Sequence, residues 1–418
     1  MMKKIFKSQF LIRGQHEVRS KQSYRYLYMT TIPGKPPWQT VIWTSNIGIF
    51  NKGSEIQPNL GAWSEEVNSD LFSLKERIKP FDRTELWDLA KRITNPYERI
   101  HTISSRLVLP RSISLLSPLS RSFFKMIEIL SVMKFFENKH KIIKIRSLHL
   151  CEGPGGFIEA LYHKAEEYRK TIQVAYGMTL RSNHQMVPGW RRATPFLQKH
   201  PTVKLIYGPS NTGDIYDKTN QEYLKNLCKK LPVHLITADG GFDFSDDFHA
   251  QEKMIFRLLV SSSLIALQTL AQEGDFILKI FDIQSKATRD LITLIGSCFK
   301  EWTLYKPVTS RPCNSEWYFI GNSAILNRDP VITILSTIRD SLENGLVISS
   351  ILDINVKEDF LLLLQNERMV KQSLALQNVL EYCGTTNKTL TNDDLWKAQV
   401  TPCTAWCNLF KIPVGGNV

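Results

Sequence analysis

From residue 147 to residue 322 the sequence changes rhythm again and again, from apolar strand to turn to amphipathic helix, and few folds accommodate that alternation. Strand-like runs are "SLHLCE" (147–152), "IQVAYGMT" (172–179), "VKLIYGP" (203–209), "HLITADG" (234–240), "DFILKIF" (275–281), "WTLYKP" (302–307) and "EWYFIGN" (316–322). Helical patterns follow most of the early ones. Repeated strand–helix units predict a mainly parallel, doubly wound α/β sheet. Only a loop joins the last two strands, which predicts an antiparallel hairpin at one edge.

Four segments are read from the patterning. Residues 1–62 form a basic, aromatic arm, with seven Lys/Arg against one Glu up to Arg25 and the rigid stretch "PGKPPW". Short strands are read near Tyr24–Thr31 and Thr40–Trp43. Residues 63–119 turn helical, with "RTELWDLAKRI" spaced for one apolar face and capped by Asp82 or Thr84. Residues 120–324 hold the strand–helix alternation, opened by the helix "SRSFFKMIEILSVMKFFENKH" (120–140). Residues 325–418 are helical again.

The chain has 418 residues, 43% of them hydrophobic and 22% charged, an ordinary globular balance. Its formal net charge of +13 favours a polyanionic partner. No apolar run reaches the length of a membrane span, and the start lacks the apolar stretch of a secretory signal. The seven scattered cysteines read as reduced thiols. Cys403 and Cys407 share a helix face, but no second Cys/His pair stands near them to complete a zinc site.

The first strand ends in "LHLCEGPGGFIEAL" (Leu148–Leu161), an acid followed by Gly-Pro-Gly-Gly and a helix. Glycines there let a ligand approach the backbone, because a Cβ would collide. A dinucleotide fingerprint needs a further glycine where Ile158 stands. Glu152 ahead of the loop suits a ligand carrying positive charge better than a pyrophosphate. S-adenosylmethionine, a sulfonium with an amino-acid head, is such a ligand.

Four further segments narrow the reading: "SRSFFKMIEIL" with Lys125, "HLITADGGFD" with Asp239, "GDFILKIFD" with Lys279 and "KPVTSRPCNSEWYF" with Glu316. Together with "LHLCEGPGGF" and "NTGDI" (Asn211–Ile215), these resemble the FtsJ-like ribose 2'-O-methyltransferases, and in particular the cap-specific mRNA enzymes, nearest the branch acting on the second transcribed nucleotide. The likeness spans roughly residues 120–322, and "TNPYE" (94–98) extends it upstream.

The resemblance implies a Rossmann-like methyltransferase domain with seven strands, the last antiparallel. It implies S-adenosylmethionine as donor, the 5' end of a capped mRNA or small RNA as acceptor, and a Lys-Asp-Lys-Glu tetrad of Lys125, Asp239, Lys279 and Glu316. Cofactor contacts are then expected from Glu152, Gly153, Pro154, Gly155, Gly156, Phe157, Asp214 and Asp239. Asp214 would hold the cofactor ribose, because the end of the second strand reads Gly177-Met178-Thr179 and has no acid. The transfer needs no metal, since sulfur already activates the methyl group.

Lys279 is expected to deprotonate or steer the ribose hydroxyl. Burial and the nearby Lys125 would lower its pKa, with Asp239 and Glu316 orienting the lysines. Arg311 is an alternative partner for Glu316. The basic segment 181–200 reads either as an RNA-contacting loop with Trp190 stacking on a base or as a surface loop anchored by that tryptophan. The resemblance also implies a nuclear enzyme, or a cytoplasmic one if viral, acting near the capping or transcription machinery. The rival functions are a 2'-O-methyltransferase of structured RNA such as ribosomal RNA, and a catalytically inactive RNA-binding subunit with this fold.

Overall fold

A computed structural model describes residues 44–45, 56–65, 69–102, 107, 109–182, 187, 189–241, 250–352, 358–385 and 391–415. Most of the basic arm, with its expected strands, lies outside these residues. Ten strands are described: β1 (Thr44–Ser45), β2 (Asn59–Leu60), β3 (Lys144–Leu150), β4 (Thr171–Met178), β5 (Val203–Ile206), β6 (Val233–Ala238), β7 (Leu270–Ile280), β8 (Phe299–Tyr305), β9 (Trp317–Ala324) and β10 (Ile348–Ser350). The main sheet runs β1-β8-β9-β7-β6-β3-β4-β5, and β10 pairs separately with β2.

Strands β3 to β7 are parallel neighbours, and β9 runs antiparallel between β7 and β8. All seven expected strands form. The two-residue β1 adds an eighth member at the β8 edge. The hairpin reading holds, with one refinement: the returning strand β9 lies inside the sheet. The pattern of its burial explains this, because Trp317–Asn322 are buried on both faces and an edge strand would leave one face in water.

The chain builds the sheet outward from β3 in one direction and then, from β6, in the other. The switch point therefore lies between the carboxyl ends of β3 and β6, where open α/β sheets bind ligands. Helices cover both faces. On one side are α8 (Gln251–Thr269), α9 (Lys286–Gly296) and α10 (Asp329–Glu343). On the other are α3 (Ser122–Val132), α5 (Gly156–Glu167) and α13 (Val400–Leu409).

The expected 120–140 helix is interrupted. Lys134 adopts φ +49°, and α3 ends before the short α4 (Phe135–Asn138). A third apolar cluster joins the two ends of the chain. Helices α1 (Ser69–Glu76) and α2 (Glu85–Ile93) pack against α11 (Glu358–Gly384) and α12 (Asn392–Ala398) through Leu71, Trp87, Leu376, Leu380 and Trp396. Thr84, the second of the two expected caps, accepts the Trp87 amide at 3.1 Å.

Candidate active site

Strand register brings Asp239, Lys279 and Glu316 to one edge of the sheet, and a helix adds Lys125. Lys279 stands opposite Tyr318 across β7 and β9, so Glu316 falls just before β9 and beside the end of β7. Asp239 follows β6 directly, its amide bonded to the Leu150 carbonyl at the end of β3. Lys125 reaches the same place from α3. Its ammonium lies 2.7 and 2.9 Å from the two Glu316 oxygens, while Lys279 Nζ lies 2.8 Å from the Asp239 carbonyl and 3.2 Å from its carboxylate. The Tyr318 hydroxyl donates to that carboxylate at 2.9 Å, and Ser310 donates to Glu316 at 2.8 Å.

Each lysine thus faces a carboxylate, and this reverses one expectation. Burial alone would lower Lys279, but the charges of Asp239 and Glu316 outweigh it and raise its pKa above the ordinary lysine value. These charges favour the ammonium form of Lys279 over the free amine. Burial opposes the charge of Glu316 too, yet Lys125 and Lys279 hold it down to about 2. Arg311 turns to another acid: it makes a two-point contact with Glu98, at 3.1 and 2.9 Å.

The glycine loop is supported from behind. Glu152 is buried, and its Oε1 accepts the Phe157 and Ile158 amides at 2.8 and 3.1 Å. It therefore caps the first turn of α5, and burial pushes its carboxyl well above the usual range. With those two amides already engaged, the helix end is a poor pyrophosphate site. Phe157 packs inside the core near Tyr318, and Gly155 and Gly156 are buried. Gly153 and Pro154 are the partly open members of the loop.

Gly155 has φ +110°, and a Cβ there would come within 3.1 Å of the Trp190 ring and 3.2 Å of Leu119. At Gly177 a Cβ would meet the same ring at 2.8 Å. These contacts decide between the two readings of Trp190. It is buried against the glycines and anchors its loop; it does not present a face to a base. Replacing Gly155 by Val should lower the thermal midpoint through about 1–3 kcal/mol of backbone strain and weaken cofactor binding as the loop shifts. Thermal unfolding and calorimetry measure the two effects separately.

Asp214 is half-buried in the turn after β5. Its carboxylate accepts the Tyr216 amide at 2.8 Å, and its charge acts on Cys151 at the end of β3. Asp214 and Asp239 thus supply carboxylates on either side of the β3 loop. An acidic, glycine-lined crevice with a capped helix end fits a cationic nucleoside such as S-adenosylmethionine.

Two buried acids escaped the sequence reading. Glu98, the last residue of "TNPYE", meets Arg121 at 3.1 Å, Arg92 at 3.4 Å, Asn95 at 2.8 Å and the Arg311 fork. Glu128, one turn beyond Lys125, accepts from Tyr305, from the Val308 amide at 2.8 Å and from Trp406 at 3.2 Å. Burial pushes Glu128 up to about 7. An acid among apolar helix residues was the available signal for Glu128; for Glu98 it was the place at the end of "TNPYE", a stretch the resemblance already reached but to which no role was given.

The FtsJ-like methyltransferase family pattern matches residues 118–324, the stretch that carries all four tetrad residues and the glycine loop. The chain carries an FtsJ-like methyltransferase domain. A mouse protein named cap-specific mRNA (nucleoside-2'-O-)-methyltransferase 2 is 33% identical over 183 residues, covering 42% of this chain and 24% of its own. A Trypanosoma cruzi protein named cap-specific mRNA (nucleoside-2'-O-)-methyltransferase 1 is 28% identical over 285 residues, 65% of this chain and 76% of its own. An African swine fever virus protein named a probable methyltransferase is 30% identical over 222 residues, 49% of each chain. The chain thus spans only about a quarter of the mouse relative's length. No helix among the described residues is long and apolar enough to cross a membrane.

Proposed function

We propose that the FtsJ-like domain transfers a methyl group from S-adenosylmethionine to a ribose 2'-hydroxyl near the 5' cap of an mRNA. The observation that carries this reading is the pair of lysine–carboxylate contacts at one sheet edge, beside the glycine loop. The bound cofactor supplies an electrophilic methyl on sulfur. Gly153, Pro154, Asp214 and Asp239 would hold the cofactor, and the 2'-hydroxyl positioned by the tetrad would give up its proton to water on accepting that methyl.

Lys279 steers the hydroxyl in this reading. Two of its three ammonium hydrogens are taken by Asp239; the third is left for the acceptor oxygen and stabilises negative charge developing there. Lys125, clamped by Glu316, supplies the second cation. The tetrad therefore orients and stabilises the nucleophile, which is how positioning lowers a displacement barrier.

Capped RNA as substrate is supported by the names of the relatives, the net charge of +13 and the tetrad. A nuclear location, or a cytoplasmic one for a viral enzyme, and a place beside the capping machinery belong to the same proposal. The test incubates the protein with labelled cofactor and short capped or uncapped RNAs, then maps the label by nuclease digestion. Label on the first or second transcribed nucleotide of capped RNA alone is the expected result. Label confined to structured ribosomal RNA fragments moves the substrate to that class. Cofactor binding without transfer to any RNA makes the domain an inactive RNA-binding subunit.

A further inference from the structure

The loop between β8 and β9 ends in Glu316, and four successive carbonyls just before β9 are each held by a side chain. Gln372 Nε2 donates to Cys313 at 3.2 Å. Lys306 Nζ donates to both Asn314 and Glu316 at 2.7 Å. Arg368 donates to Ser315. Two of these three side chains come from α11, which lies outside the FtsJ-like segment.

Arg368 does more than hold one carbonyl. Its guanidinium stacks on Trp317, 4.3 Å from the ring centroid, so it grips the chain on both sides of Glu316. Its NH1 lies 3.0 Å from Asp282, which stands three residues beyond Lys279 and also meets Lys75 from α1 at 3.4 Å. Trp317 in turn donates its indole N–H to the Phe281 carbonyl. One buried cation thus ties the end of β7, which carries Lys279, to the start of β9, which follows Glu316.

We propose that α11 is a positioning element of the active site and that Arg368 is a positioning residue that fixes Glu316, and through it Lys125, relative to Lys279. The inference rests on the proposed methyl transfer for its kinetic consequence. Its geometric content stands without it. Misplacing catalytic groups by about 1 Å costs on the order of a hundredfold in rate, so the held carbonyls matter to turnover more than to binding. The described C-terminal helices then serve the chemistry from outside the domain that performs it.

The test compares the full chain with its Arg368→Met, Arg368→Lys and Gln372→Ala variants. In Arg368→Met, kcat should fall about tenfold to a hundredfold, while the KM for RNA and the cofactor Kd change by no more than about twofold. Adding Glu316→Gln to Arg368→Met should lower kcat by far less than the same change does in the unaltered chain, because the two residues act as a unit. Arg368→Lys should recover part of the rate.

A purely structural role would instead lower the thermal midpoint and leave the kcat of the folded fraction at its original value, and that outcome overturns the proposal. If Arg368→Met does not fold, Gln372→Ala takes its place, with a smaller fall in kcat expected and an unchanged kcat overturning the idea. If the unaltered protein methylates no RNA, the functional reading has failed, and amide hydrogen exchange decides the brace by itself. Faster exchange confined to residues 311–317 in Arg368→Met supports it, and an unchanged pattern there removes it.

Discussion

Replacing Lys279 by Ala should lower methyl transfer by about a thousandfold while leaving cofactor affinity and the fold nearly as they were. The ammonium sits between Asp239 and the place where the acceptor oxygen must come, so its loss removes a preorganised charge that acts on the nucleophile. The fold should survive because Asp239 keeps the Tyr318 hydroxyl at 2.9 Å and is not left bare. The pH dependence separates steering from base catalysis. A lysine acting as base needs its free amine, so kcat would climb as pH rises toward the lysine pKa. With Asp239 and Glu316 raising that pKa, the ammonium persists, and kcat should show no Lys279-dependent rise between about pH 7 and about pH 9. Single-turnover rates across that range, with the variant as control, check both statements. Near-original turnover in Lys279→Ala would take the residue out of the mechanism.

The largest expected loss of stability follows Glu98→Gln. Glu98 is fully buried and is the shared partner of Arg92, Arg121 and Arg311. Removing its charge leaves three guanidinium groups facing one another across a neutral amide. Breaking a buried ionic contact from one side costs about 3–5 kcal/mol. Three elements depend on it: α2 through Arg92, α3 through Arg121 at its start, and the β8–β9 loop through Arg311. Activity should therefore fall along with stability, since Arg121 lies one turn from Lys125 and Arg311 lies on the Glu316 loop.

The acid limb of stability has a definite sign. Burial opposes the Glu98 charge, but Arg121 and Arg311 outweigh it and depress the folded-state pKa to about 2. The stabilisation is therefore complete above the unfolded value of about 4.3 and is lost as pH falls toward about 2. Denaturant midpoints across this window should drop steeply in the unaltered protein. In Glu98→Gln the drop should be shallower, because the titrating group is gone.

Local sequence determined the strand–helix rhythm, because side-chain periodicity is a property of neighbours along the chain. It also determined which residues would end the strands. Asp239 after "HLITA", Lys279 near the end of "DFILKIF" and Glu316 ahead of "WYFIG" fall at one sheet edge once the strands are parallel and β9 returns antiparallel. Thr84 as a cap was legible for the same reason, being a contact across three residues.

Tertiary structure alone decided how those residues behave. Lys125 meets Glu316 across 191 positions, and Glu98 meets Arg311 across 213. Sequence spacing carries no record of such distances. The protonation of Lys279 turned on whether its nearest charged partner was a cation or a carboxylate. Trp190 turned out to be an anchor because Gly155, just before α5, and Gly177, near the end of β4, leave room for one ring. The service of α11 to Glu316 depends on Arg368 crossing from a helix whose pattern along the chain does not single that residue out. Electrostatics and close packing are set by what surrounds a group in space, and the chain order specifies that only after the fold has brought distant segments together.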